Sequence, residues 1–111
     1  MDEDYFQSAF ENVKKVTIFS SRSMEDEFSK IHTVLNNSQA DWKLRVDNLM
    51  MVRSLLVAGA SQYDELQACL KNLEYPFESC VKDLRSQVVR ECCITLAFIS
   101  QTLRNKVSQH S

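Results

Sequence analysis

Two runs hold the residues best suited to chemistry in this chain: Asp41-Trp-Lys-Leu-Arg-Val-Asp-Asn-Leu and, about 40 residues later, Lys82-Asp-Leu-Arg-Ser-Gln-Val-Val-Arg-Glu. Each sets charged side chains at the expected start of a helix, and the first adds an indole. That is the chemistry of contact, apolar stacking and charge pairing, and not of bond making. Covalent catalysis would need a nucleophile beside a base, paired carboxylates in a pocket, or a glycine loop that cradles phosphate. One glycine cannot build the last, and neither of the other sets is recognisable, so no enzymatic activity is expected. The four cysteines, Cys69, Cys80, Cys92 and Cys93, contain no Cys-x-x-Cys spacing, and His32 and His110 lie far apart. Neither a metal site nor a cofactor is expected. Cys92 and Cys93 are adjacent, and the acidic start Met1-Asp-Glu-Asp is opposite in sign to a signal peptide. The thiols are therefore expected to be reduced and mostly buried, Cys92 and Cys93 included, in a cytosolic chain.

Those residues must be held by elements, and composition says which kind. A chain of 111 residues, 44% hydrophobic and 25% charged, fits one small globular domain. A single Gly and a single Pro leave too little turn chemistry for a many-stranded sandwich or barrel, so helices are expected throughout. The net charge of -2 lacks the basic excess of a nucleic-acid binder, and no apolar run approaches the roughly 18 residues of a membrane span. No nucleic acid and no membrane partner are expected.

Residues 1–22 read as a lead-in, a short helix followed by an extended segment around Val16-Thr-Ile-Phe. Ser23 before Met-Glu-Asp reads as an N-cap, and Met24, Phe28, Ile31, Val34 and Leu35 follow helical spacing until Asn36-Asn-Ser-Gln breaks it. Asp41 caps a second helix with Trp42, Val46, Leu49, Met50, Val52 and Leu56 on one arc, and Gly59 stops it. Arg53 falls inside that apolar arc, which requires snorkelling or a carboxylate partner. A third helix is expected from Ser61 to Leu73, ended by Pro76, with a loop from Glu78 to Lys82. A fourth, Leu84 to Lys106, shows one stripe of Leu84, Val88, Cys92, Leu96, Ile99 and Leu103, with Ile94 and Phe98 on the other side. A helix apolar on both sides expects neighbours on both, so the sequence reads as part of a larger stack. Self-association through exposed Ile94 and Phe98 would follow.

The runs Ser20-Ser-Arg, Asp41-Trp-Lys-Leu-Arg-Val, Arg53-Ser-Leu-Leu-Val-Ala-Gly-Ala, Gln62-Tyr-Asp and Lys82-Asp-Leu-Arg-Ser-Gln-Val-Val-Arg-Glu-Cys resemble the start of a TOG domain. More closely, the match from about Asp4 to Lys106 resembles the second TOG domain of the CLASP family, the cytoplasmic linker-associated proteins. The resemblance implies an all-α fold, a HEAT-repeat alpha-solenoid of which residues 23–111 hold about two helical hairpins behind the 1–22 lead-in. It implies binding to alpha/beta-tubulin or microtubules through the loops inside the repeats. It further implies regulation of microtubule dynamics by catastrophe suppression and rescue, in the cytoplasm, at the mitotic spindle, the kinetochore and growing ends. Carried onto this sequence, the first loop is Asn36 to Lys43, with Trp42 as the aromatic tubulin contact and Lys43 beside it. The second is Ser79 to Arg85, with Lys82 as the basic contact flanked by Asp83 and Arg85.

Apart from the resemblance, Trp42 could be core, since it shares an arc with Val46 and Leu49, and Lys82 could be a solvated loop charge. Arg90 is expected to be structural, His32 a surface residue. Two other readings stand beside tubulin binding: a helical adaptor that offers a groove to a peptide or protein, and a truncated product with little tubulin affinity. Exposure of Trp42 and Lys82 on one edge separates them, because a groove binder would bury Trp42.

Overall fold

The computed structural model describes residues 13–110, with side chains from 13 to 104. The short helix expected in the lead-in lies outside the described residues. Five helices follow: α1 Ser21–Leu35, α2 Trp42–Val57, α3 Leu66–Asn72, α4 Glu74–Val81 and α5 Ser86–His110, with a 3-10 turn Ala60–Gln62 after α2. Among the described residues there is no strand.

A reciprocal pair of serines starts α1. Ser20 Oγ accepts the Ser23 N–H at 3.1 Å, and Ser23 Oγ accepts the Ser20 N–H at 3.1 Å. This capping box satisfies two end donors at once, so Ser23, expected as the cap, instead lies one turn inside. Of the expected face, α1 buries Met24, Phe28, Ile31 and Leu35 and leaves Val34 half-buried. Ahead of it, residues 13–19 are not helical and rest Val13, Val16 and Ile18 against the core.

Asp41 caps α2 as expected, its Oδ1 accepting the Lys43 N–H at 3.0 Å. The helix buries Leu49, Val52, Leu55 and Leu56, together with Arg45, Arg53 and Ser54. Met50, expected in the arc, is 41% exposed. Gly59 ends this part of the chain with φ at 106°. Only the Gln62 side chain, 3.5 Å away, would face an added Cβ there, so the need for glycine is conformational and not steric. Gly59→Ala is expected to lose about 1–2 kcal/mol of stability in urea unfolding.

The expected third helix, Ser61 to Leu73, begins late as α3 at Leu66, after the 3-10 turn, and a further helix, α4, follows it at once. Pro76 has no N–H to give the Asn72 carbonyl, and its ring crowds that oxygen, so one continuous helix cannot run through it. The chain turns at Leu73, whose N–H donates to the Leu70 carbonyl at 3.0 Å, and resumes when the Phe77 N–H reaches the Leu73 carbonyl at 2.8 Å. Pro76 thus sits in the first turn of α4, where a missing N–H costs nothing. The loop expected from Glu78 is consequently helix up to Val81.

The last helix also departs from expectation. Leu84, read as its first stripe residue, precedes α5 and is fully exposed, and Leu96 is 37% exposed. Ile94 and Phe98 are buried alongside Val88, Cys92 and Ile99. α5 packs chiefly on α2 and α4 and reaches the 60–62 turn, so it is buried on more than one side. Self-association through exposed Ile94 and Phe98 loses its basis. The expectation that both adjacent cysteines are core holds for one: successive helical residues point about 100° apart, and Cys92 is buried while Cys93 is exposed; Cys80 is buried and Cys69 half-buried, all as free thiols.

Two buried ion pairs fix how the hairpins stack. Arg45 meets Asp83 at 2.8 Å and Arg53 meets Glu91 at 2.5 Å, each across 38 residues. Arg45 in the first turn of α2 meets Asp83 just ahead of α5, and the two helices pack along each other, so both start at the same end and run in the same general direction. Thr95 Oγ1 adds a bond to the Leu49 carbonyl at 3.2 Å in the same seam. The first hairpin, α1 with α2, therefore stacks on a second made of the bent α3–α4 pair with α5, in a HEAT-type arrangement.

Candidate functional site

Parallel stacking of α2 and α5 brings the turns that precede them to the same end. Loop 36–41 and loop 82–85 line one groove of about 880 Å³, bordered by Trp42, Tyr75, Lys82, Asp83, Leu84 and Arg85. Four of the five sequence-expected contact residues are among those, and Lys43 stands beside Trp42.

Trp42 is neither free nor fully core. Half-buried at the first position of α2, it packs partly against the core cluster. Cations approach its ring: Arg85 Cζ lies 5.7 Å and Lys43 Nζ 5.8 Å from the centroid. The indole thus presents a π face already matched to positive charge.

Lys82 is exposed at the end of α4, its Nζ 3.1 Å from Glu78 Oε1. Both side chains are mostly in water, so this pair holds Lys82 weakly and leaves it available to another carboxylate. Asp83 is turned inward. Its Oδ2 accepts from Arg45, and its Oδ1 accepts the Arg85 N–H at 2.7 Å. With 12% of its side chain exposed, Asp83 shapes the loop that carries Arg85.

Three further residues shape this groove. Leu84 and Tyr75, 73% exposed, add apolar surface to the groove. The signal for Leu84 was Asp83 itself, since an Asp that bonds the N–H two residues on makes a turn and not a helix. Arg45 is 5% exposed beneath the groove. It repeats the helical phase of Leu49, Val52 and Leu56, a legible sign that it points inward.

Arg45 also touches the thiol of Cys80, with Nη2 3.5 Å from Sγ. A hydrogen bond from Cys92, helped by the Arg45 charge, holds the Cys80 thiol below its usual range, at about 7, against the opposing effect of burial. The same bond and burial push Cys92 upward. Burial first, then Glu25 and Glu65, raise Cys69. Among the described residues no cluster of His, Cys, Asp and Glu could hold a metal ion, and no helix is long and apolar enough to cross a membrane.

No family model matches the chain. It is 47% identical over 106 residues to CLIP-associating protein 1-A of Xenopus laevis, which covers 96% of this chain and 7% of that protein. The CLIP-associating protein of Drosophila melanogaster is 40% identical over 104 residues, 92% of this chain and 7% of that protein. Protein CLASP-3 of Caenorhabditis elegans is 43% identical over 96 residues, 85% of this chain and 10% of that protein. The chain thus spans about a tenth or less of the length of these relatives. Identity of this order along nearly all of its length, shared with amphibian, insect and nematode proteins, makes the chain a member of the CLASP family, kin to one short stretch of those proteins.

Proposed function

We propose that this chain contacts alpha/beta-tubulin through the edge formed by loops 36–41 and 82–85, and serves in the regulation of microtubule dynamics. Trp42 is the aromatic anchor, Lys43, Lys82 and Arg85 supply positive charge toward tubulin's acidic surface, and Asp83 holds the second loop. Catastrophe suppression and rescue are the activities such contacts would serve, in the cytoplasm at microtubules, spindle and kinetochore. Residues 23–111 carry the edge and 1–22 act as its lead-in. No catalytic step belongs to this function.

The single observation that carries the reading is that Trp42 and Lys82, 40 positions apart in the numbering, border one groove with neither side chain fully buried. Exposed Tyr75 and Leu84 in the same groove favour one rival, an adaptor for a peptide laid along it. The test is equilibrium binding of purified alpha/beta-tubulin to the chain. Lys82→Ala is expected to weaken binding by up to about 1 kcal/mol and to flatten its salt dependence, as loss of a rim charge does. No saturable binding by the folded parent chain overturns the tubulin reading.

A further inference from the structure

We infer that Arg45 is the positioning residue of this edge: one buried guanidinium that sets the two loops relative to each other and thereby the pose of Trp42. Only the tubulin arm of its test rests on the proposed function.

The bonds of Arg45 reach both hairpins. Nη2 donates to the carbonyl of Leu35 at 3.2 Å, where α1 ends and the first loop starts. Nη1 donates to Asp83 Oδ2 at 2.8 Å in the second loop, and Nη2 also lies 3.5 Å from Ser79 Oγ on α4. Asp83 passes the constraint on, because its other oxygen holds the Arg85 N–H, and the Arg85 guanidinium lies over the Trp42 ring. Trp42 and Arg45 are one turn apart on α2, so the path from Arg45 through Asp83 and Arg85 to Trp42 closes into a ring that begins and ends on one rigid helix. A loop tied at two points to such a helix has little freedom left.

Stability alone does not account for this arrangement. A buried ion pair loses much of its Coulombic gain to desolvation, and Arg45 Nε is buried without a hydrogen-bond partner. What the planar fork supplies is direction, since it can hold a carbonyl of one hairpin and a carboxylate of the next at fixed angles. The Arg53–Glu91 pair is the internal comparison. It is equally buried and spans the same offset, but it borders no part of the groove.

Trp42 is the only tryptophan, so its fluorescence reads this edge without any partner. In the full chain, Arg45→Met and Asp83→Asn are each expected to red-shift Trp42 emission and increase its quenching by acrylamide. Both should weaken tubulin binding about tenfold, the size of a lost coupled contact. Arg45→Lys, which keeps the charge but not the fork, should recover part of both effects. Arg53→Met, a structural lesion, should lower the melting temperature and leave Trp42 emission of the folded chain unmoved. Unchanged emission and quenching in folded Arg45→Met and Asp83→Asn overturn the inference. If Arg45→Met does not fold, Asp83→Asn decides. A shifted Trp42 with undiminished tubulin binding upholds the positioning role and overturns the assignment of tubulin to this edge.

Discussion

Glu91→Ala is expected to cost about 3–5 kcal/mol, a large part of the stability of a chain this size. Arg53 is 2% exposed and Glu91 8%, and the guanidinium has one amino group, Nη1, without a hydrogen-bond partner even with Glu91 in place. Removing the carboxylate strands a full charge between α2 and α5, where water cannot solvate it. The loss should appear in urea unfolding as a lower midpoint with little change in slope. A second variant separates a stranded charge from a lost contact. In Arg53→Met with Glu91→Leu, apolar groups of similar length replace both partners, and most of the stability should return. If the single variant stays within about 1 kcal/mol of the parent, or the double is as unstable as the single, the pair does not bind the hairpins as described.

Trp42→Glu is expected to weaken tubulin binding by about 2 kcal/mol or more, roughly thirtyfold. The carboxylate removes the aromatic surface at the centre of the edge and opposes an acidic partner. It should nevertheless leave the fold in place. Position 42 is the first residue of α2, where a negative charge complements the helix dipole, and Lys43 and Arg85 stand ready to pair with it. Equal far-UV circular dichroism in the two chains is the control. Full tubulin affinity in a folded Trp42→Glu chain would return Trp42 to the status of a core residue with an exposed rim. The contrast with the smaller loss expected for Lys82→Ala follows from position, since Lys82 is a solvated rim charge and Trp42 lies against the core.

Several features with a local cause are legible in the sequence, although the α1 cap lies at Ser20 and not at Ser23. The α1 face from Met24 to Leu35, the Asp41 cap and the Gly59 stop each depend on groups within a turn or two of one another. Two failures of helical periodicity have identifiable reasons. Between Ser61 and Val81 the apolar spacing runs on, and only Pro76 marks the break. Pro76 was read as an end to α3 when it is also the start of α4. At Leu84 the stripe extends one position too far, because the Asp83 side chain turns the backbone before the helix begins.

The site divides along the same line. Its residue types, an indole and three cations set one repeat apart, are legible in the sequence, and so is the inward phase of Arg45. The sequence by itself therefore determined an all-helical chain, most of the buried face of α1, the Asp41 cap of α2, and the cast of the candidate edge. Only the tertiary structure decided that Arg45 meets Asp83, that Arg53 meets Glu91, that Ile94 and Phe98 are buried, and that Trp42 lies under Arg85. Capping and periodicity act over one or two turns, so neighbouring residues encode them. A partner 38 residues away is selected by the register of one helix against another, and that register is a property of the whole packed core.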